Sequence, residues 1–312
     1  MSVMQPRHAA SPPRAAVYAL PIGLLVTALA SLWALAAPGG IPGPAEAAAL
    51  VPPAAASVQE LPAIEIESAP VVDACADPAV SAALAAGNDS AVIASFGGAE
   101  SFRASVVAGA APCIALDDPT HVWVVVNKVR RLSPENYAPA SVASSGLTAT
   151  SRSGAARRDV ASALAELASS AADAGAGRIG VNNAYRSYTV QVRTYGQHVR
   201  DQGTASADTV SARPGHSEHQ TGLAADIIAC ARSCTDIHSF AGTPQSDWVA
   251  QHAWEHGFIV RYEDGHTATT GYVAEPWHVR YIGKELAEAY HAGGFHTLEE
   301  FFGLPAAPDY VG

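Results

Sequence analysis

The stretch Ser217-Glu218-His219-Gln220-Thr221-Gly222-Leu223-Ala224-Ala225-Asp226-Ile227-Ile228-Ala229 places an acidic side chain inside an apolar strand. Gly222 to Ala229 is apolar on both alternating faces, as a strand buried on both sides requires, and Asp226 is its exception. An ionised carboxylate in that setting is costly unless something pairs with it. A metal ion answers the cost, and His219 together with the later segment Glu275-Pro276-Trp277-His278 supplies further donors. Two histidines and one aspartate leave the fourth position of a tetrahedral zinc open for water, as a catalytic rather than a structural site requires. Glu275 lies three residues before His278, within reach of such a water, whose pKa zinc lowers to about 7. Its carboxylate can take that proton and return it to a leaving amine. On spacing alone a plainer reading stays open, with His219 an ordinary core histidine and Asp226 a turn cap or the partner of an arginine.

Outward from this stretch, helices and strands mix without regular alternation, which points to an α+β fold. Val122-Trp123-Val124-Val125-Val126 is β-branched and aromatic and is expected to be a strand. Arg157 to Ala174 is the clearest helix, with Val160, Leu164, Leu167 and Ala171 on one face and Gly175 at its end. Ile179 to Val181, Phe258 to Tyr262 and Trp277 to Ile282 read as further strands. Ser246 is expected to cap a helix that runs to His256 and stops at Gly257. A helix from Gly283 to His291 comes next, and Thr297 and Glu300 have capping-box spacing.

Upstream the chain changes character. Ala15 to Ala37 is an uncharged, largely apolar run preceded by Arg7 and Arg14, long enough to cross a bilayer and oriented to export the chain beyond Ala37. Residues 1–37 are therefore expected to anchor the protein to the membrane. A signal peptide cleaved after Leu35-Ala36-Ala37 is the alternative. Residues 38–72 are Pro- and Ala-rich and read as a semi-rigid spacer. Residues 73–117 read as a small helical lead-in, and residues 118–312 as the main domain. Export agrees with four cysteines, for which the sequence-local pairs Cys75–Cys113 and Cys230–Cys234 are expected among three possible connectivities. A thiolate metal site is the alternative, but the spacing lacks paired C-x2-C. A formal net charge of -11, with 18 Lys and Arg, argues against nucleic acid as a partner.

Tyr185-Arg186-Ser187-Tyr188 with Gln191, then Ser217 to Asp226, then Glu275-Pro276-Trp277-His278, together resemble D-alanyl-D-alanine carboxypeptidases of the VanY type, relatives of D-Ala-D-Ala dipeptidases and hedgehog amino-terminal domains. The resemblance runs from about Val122 to Leu304, with the motifs in family order. It implies an α+β domain with a small antiparallel sheet flanked by helices. It also implies one zinc ion held by His219, Asp226 and His278, with Glu275 as general base. Arg186, Ser217 and Gln191 are then expected to bind substrate, the stem peptides of peptidoglycan outside the cytoplasm. An L,D-carboxypeptidase or wall endopeptidase would use the same chemistry. A non-catalytic zinc-bound recognition module is the alternative of another class, and Glu275 argues against it.

His252-Ala253-Trp254-Glu255-His256 reads as H-x-x-E-H, a rival zinc pattern. That pattern needs another ligand from a distant helix, and Trp248, Val249, Ala253 and His256 form a packing stripe. Trp277 is expected in the core, aiming His278, and His238 is expected to be an ordinary loop histidine.

Overall fold

The computed structural model describes residues 74–150 and 154–311. A two-stranded antiparallel ribbon, β1 (Val142–Ser144) and β2 (Ala155–Arg157), precedes a four-stranded antiparallel sheet. The sheet consists of β3 (Arg178–Asn183), β4 (Ala224–Cys230), β5 (Phe258–Tyr262) and β6 (Glu275–Tyr281), in the order β3-β4-β6-β5. The helices are α1 (Pro78–Ala85), α2 (Asp89–Ser95), α3 (Ala99–Val107), α4 (Arg158–Asp173), α5 (Tyr188–Gln202), α6 (Thr204–Val210), α7 (Pro244–His252), α8 (Thr267–Thr270), α9 (Lys284–Ala292) and α10 (Leu298–Phe301). The expected α+β class is present.

Strand β4 is central, and every residue in it is buried, which is why its side chains are apolar on both faces. Helix α4 turns Val160, Leu164, Leu167 and Ala171 inward, all fully buried, and Gly175 leaves it at φ +79°. Burying each leucine contributes roughly 1.5–3 kcal/mol, so the periodicity read from sequence is enough to dock this helix. The lead-in helices do not pack on themselves alone. Val80, Ile93 and Phe102 belong to the same apolar cluster as Leu164, Leu286 and Phe301, and the Phe102 and Trp123 rings lie 5.1 Å apart. The cysteines pair as Cys75–Cys113 and Cys230–Cys234.

Three expectations are corrected. Val122 to Val126 is buried but is not a strand. Its backbone finds other partners: Arg280 Nη2 donates to the carbonyls of Val122 (3.0 Å) and Val124 (2.7 Å), and Val125 N–H donates to Leu116 O. A guanidinium thus satisfies groups that a ladder would otherwise take. The helix expected to reach His256 ends at His252 and continues as a 3-10 turn to Gly257. Its cap is Thr243, whose hydroxyl accepts from Ser246 N–H. Strand β6 starts at Glu275, two residues before the expected Trp277, so the proposed base lies within the sheet. The apolar run 15–37 and the spacer 38–72 lie outside the described residues. Among the described residues no helix is long and apolar enough to cross a membrane.

Candidate active site

Strand register brings the site together. Asp226 in β4 sits opposite His278 in β6 and, on its other side, opposite Asn183 in β3. His219 arrives from the 3-10 turn Glu218–Thr221, which ends at Gly222 with φ +75°. A Cβ at Gly222 would stand 3.1 Å from Arg157 N, so both the turn and its close approach to β2 favour glycine there. His219 Nε2 is 3.3 Å from Asp226 Oδ2, and His278 Nδ1 is 3.2 Å from Asp226 Oδ1. Ligand atoms of these three buried residues all lie within 4.8 Å of one another.

The remaining imidazole nitrogens are occupied. His219 Nδ1 donates to Ala184 O at 2.7 Å, and His278 Nε2 faces Glu218 Oε2 at 3.3 Å. With the outer nitrogen of each ring so engaged, the nitrogen beside Asp226 is the one each histidine would offer a divalent metal after giving up its proton. Two imidazoles and one carboxylate converging in this way fit zinc, and this convergence, not the motif alone, is the test of that fit. Burial disfavours the Asp226 charge, yet the flanking imidazoles hold its carboxyl well below the usual range. Burial likewise opposes a charged His278, but its bonds to Asp226 and Glu218 push it up to about 9. The pocket thus favours positive charge beside its carboxylates, which a bound cation would supply.

Glu218 is the residue that sequence reasoning passed over. It is fully buried, and its Oε1 accepts from Arg261 Nε (3.0 Å) and Arg280 Nη1 (2.8 Å). Arg261 also grips Glu299 through two bonds, and Asn127 donates to Glu299. Burial opposes the Glu218 charge, but Arg280 and Arg261 hold its carboxyl far below the ordinary value. A fixed carboxylate aligned on His278 is thereby built into the core. Its only signal in sequence was an acidic residue beside His219.

The other expected residues divide. Glu275 Oε2 lies 3.6 Å from His278 Nδ1, and burial pushes its carboxyl up to about 7, where a group can exchange protons near neutrality. Arg186 and Ser217 line the same cleft, of about 1100 Å³, with Glu275 and the three candidate ligands. Gln191 does not line it. Its Oε1 accepts from Arg186 Nη1 at 2.9 Å and its amide nitrogen donates to Ala212 O, so it holds Arg186 from behind. Asn183 Oδ1, in the amide orientation that satisfies both groups, accepts from Arg186 Nε and Nη2. Arg186 Nη2 is also 3.5 Å from Asp226 Oδ2, so the arginine balances the candidate ligand as well as facing the cleft. Trp277 and His238 also line the cleft, with rings 5.4 Å apart, instead of serving only as core and loop residues.

The H-x-x-E-H pattern forms no comparable cluster. His252 bonds Glu255 at 2.8 Å and stacks on Trp248, and the donor group found among the described residues is His219, Asp226 and His278. His252→Ala should therefore leave bound zinc unchanged by elemental analysis. Loss of the metal in that variant would move the centre to α7.

A family model described as VanY, D-alanyl-D-alanine carboxypeptidase, matches residues 154–284, the region that holds Arg186, Ser217, His219, Asp226, Glu275 and His278. The Bacillus subtilis (strain 168) protein YodJ, named as a carboxypeptidase, is 33% identical over 191 residues, which cover 60% of this chain and 69% of that protein. The chain belongs to the VanY family. It is accordingly a hydrolase of the carboxypeptidase class. An Enterococcus faecalis D-alanyl-D-alanine carboxypeptidase, also similar to this VanY-family chain, is 45% identical over 101 residues, 32% of this chain and 35% of that one. Among solved structures, the LdcB LD-carboxypeptidase matches with a TM-score of 0.55 and 33% identity, over 59% of this chain and 87% of that chain.

Proposed function

We propose that this VanY-family member is a zinc-dependent D-alanyl-D-alanine carboxypeptidase that trims the last residue from peptidoglycan stem peptides. The observation that carries the reading is the meeting, in one cleft, of His219, Asp226 and His278 with Glu275 and Arg186. His219, Asp226 and His278 would hold one zinc, which when bound polarises the scissile carbonyl and acidifies water. Glu275 takes the proton of the attacking water and delivers it to the departing amine. Arg186, steadied by Gln191 and Asn183, receives the terminal carboxylate, and Ser217 stands beside the candidate ligands to orient the peptide. Action outside the cytoplasm fits this substrate and the two disulfides, with residues 15–37 as the means of membrane attachment.

Incubating the protein with purified pentapeptide and tetrapeptide stems and weighing the products tests the reading. The expected product is the pentapeptide shortened by one alanine. The similarity to the LdcB LD-carboxypeptidase favours a second reading, in which the tetrapeptide is consumed instead. An internal cut would make the protein an endopeptidase, and binding without turnover a recognition module.

The same peptides test Arg186. A guanidinium meets a carboxylate through paired charge-assisted bonds that an ammonium cannot reproduce. Arg186→Lys should keep zinc but lose about tenfold or more in kcat/KM, the scale of a hydrogen bond to a charged group. On a peptide with an amidated terminus the loss should shrink. Equal losses on both substrates would reassign Arg186 to charge balance at Asp226.

A further inference from the structure

One wall of the cleft includes Tyr262, Tyr272 and Val273, and another includes Val210, Ser211 and Ala212 at the end of α6. These walls come from distant parts of the chain. They meet directly through Val273 N–H, which donates to Thr209 O at 3.1 Å. A third segment, residues 307–310, crosses behind both. Tyr310 Oη accepts from the backbone N–H of Arg213 at 2.8 Å and lies 3.0 Å from Tyr272 Oη. One phenol therefore bonds to both walls. The Arg213 guanidinium covers the Tyr310 ring at 4.2 Å, and the His216 ring meets its edge at 5.1 Å.

Lys128 seats this crossing. Its side chain is buried, and Nζ donates to Gly271 O (2.6 Å) and Pro308 O (2.9 Å) while lying 4.9 Å from the Tyr272 ring and 5.5 Å from that of Tyr310. A buried lysine is rare without partners, and here the partners are the two segments to be joined. Gly271 permits the approach: a Cβ there would stand 2.5 Å from Pro308 O and 2.7 Å from Lys128 Nζ. From Tyr310 the contact continues inward, since Tyr272 packs on Tyr262 at 4.9 Å and Tyr262 on His278 at 4.9 Å.

We infer that Tyr310, seated by Lys128, is a positioning residue that locks the Tyr272–Val273 wall against the Val210–Ala212 wall and so sets how tightly the cleft holds a peptide. The inference rests on the proposed peptidase function only for the kinetic half of its test. Tyr310→Phe removes the bonds to both walls and keeps the ring. Hydrogen exchange, which needs no substrate, should show faster exchange of the Val273 and Arg213 amides in this variant. With stem peptide, KM should rise about three- to tenfold, the equivalent of one or two neutral hydrogen bonds, with kcat and zinc content unchanged. Lys128→Met should reproduce both effects if it folds. Wild-type exchange at Val273 and Arg213 in Tyr310→Phe would overturn the inference whatever the protein hydrolyses. So would a lowered melting temperature accompanied by an unchanged KM, because that is the signature of a structural role alone.

Discussion

Glu275→Gln is expected to keep its zinc and lose kcat by a factor of about 10² to 10⁴, the range over which a positioned acid or base contributes. The amide preserves volume and hydrogen-bonding shape, so the three candidate ligands, none of which it replaces, should remain within 4.8 Å of one another. What disappears is the group that carries a proton from water to the leaving amine. The same assignment fixes the sign of the pH dependence. Glu275 must be ionised to act as base, burial carries its carboxyl up to about 7, and a cation beside it moves that value down. Wild-type kcat should therefore fall as the medium is acidified below neutrality, with a midpoint at or below about 7. Metal content by elemental analysis and single-turnover rates check both halves. A variant that turns over at nearly the wild-type rate would place the base elsewhere.

The second large effect is expected at Glu218, which never touches the proposed metal. Its Oε1 is committed to Arg261 and Arg280, leaving Oε2 to accept the proton on His278 Nε2. In Glu218→Gln the carbonyl oxygen stays with the two arginines, and the amide nitrogen, a donor, faces His278. The imidazole answers by moving its proton to Nδ1, the nitrogen that points at Asp226, and is lost as a ligand. Zinc affinity should fall about 10- to 100-fold, the usual effect of removing an outer partner of a ligating histidine, as measured by competition with a chelator. Removing a charge from a buried network also costs stability, on the order of 3–5 kcal/mol when a partner is left unpaired. Glu299→Gln separates the two consequences, because it likewise takes a carboxylate from Arg261 without contact to His278. It should lower the melting temperature and spare zinc. Equal loss of affinity in both variants would mean that Glu218 acts through folding alone.

Much of this site was legible in the chain. Asp226 announced itself as a charge inside an apolar strand, and Glu275 and His278 as paired polar residues three apart. Local periodicity likewise determined α4, because a helix that turns Val160, Leu164, Leu167 and Ala171 to one side must bury them somewhere. The cysteine pairs came from nearness in sequence. Such features are encoded within a turn or a strand, where the period of the backbone decides which side chains share a face. Partners that come from far along the chain are not encoded that way. Val122 to Val126 has the composition of a strand, yet its carbonyls go to Arg280, which lies over 150 positions away and leaves no trace in local pattern. Gln191 turned out to hold Arg186 and not to line the cleft, because Ala212 and Arg186 engage both ends of its amide. Glu218, beside His219 in sequence, serves His278 across the sheet. Hydrophobic periodicity told which groups had to leave water, but only the tertiary structure decided which buried charge would meet which, since that depends on strand register and on ion pairs between remote segments.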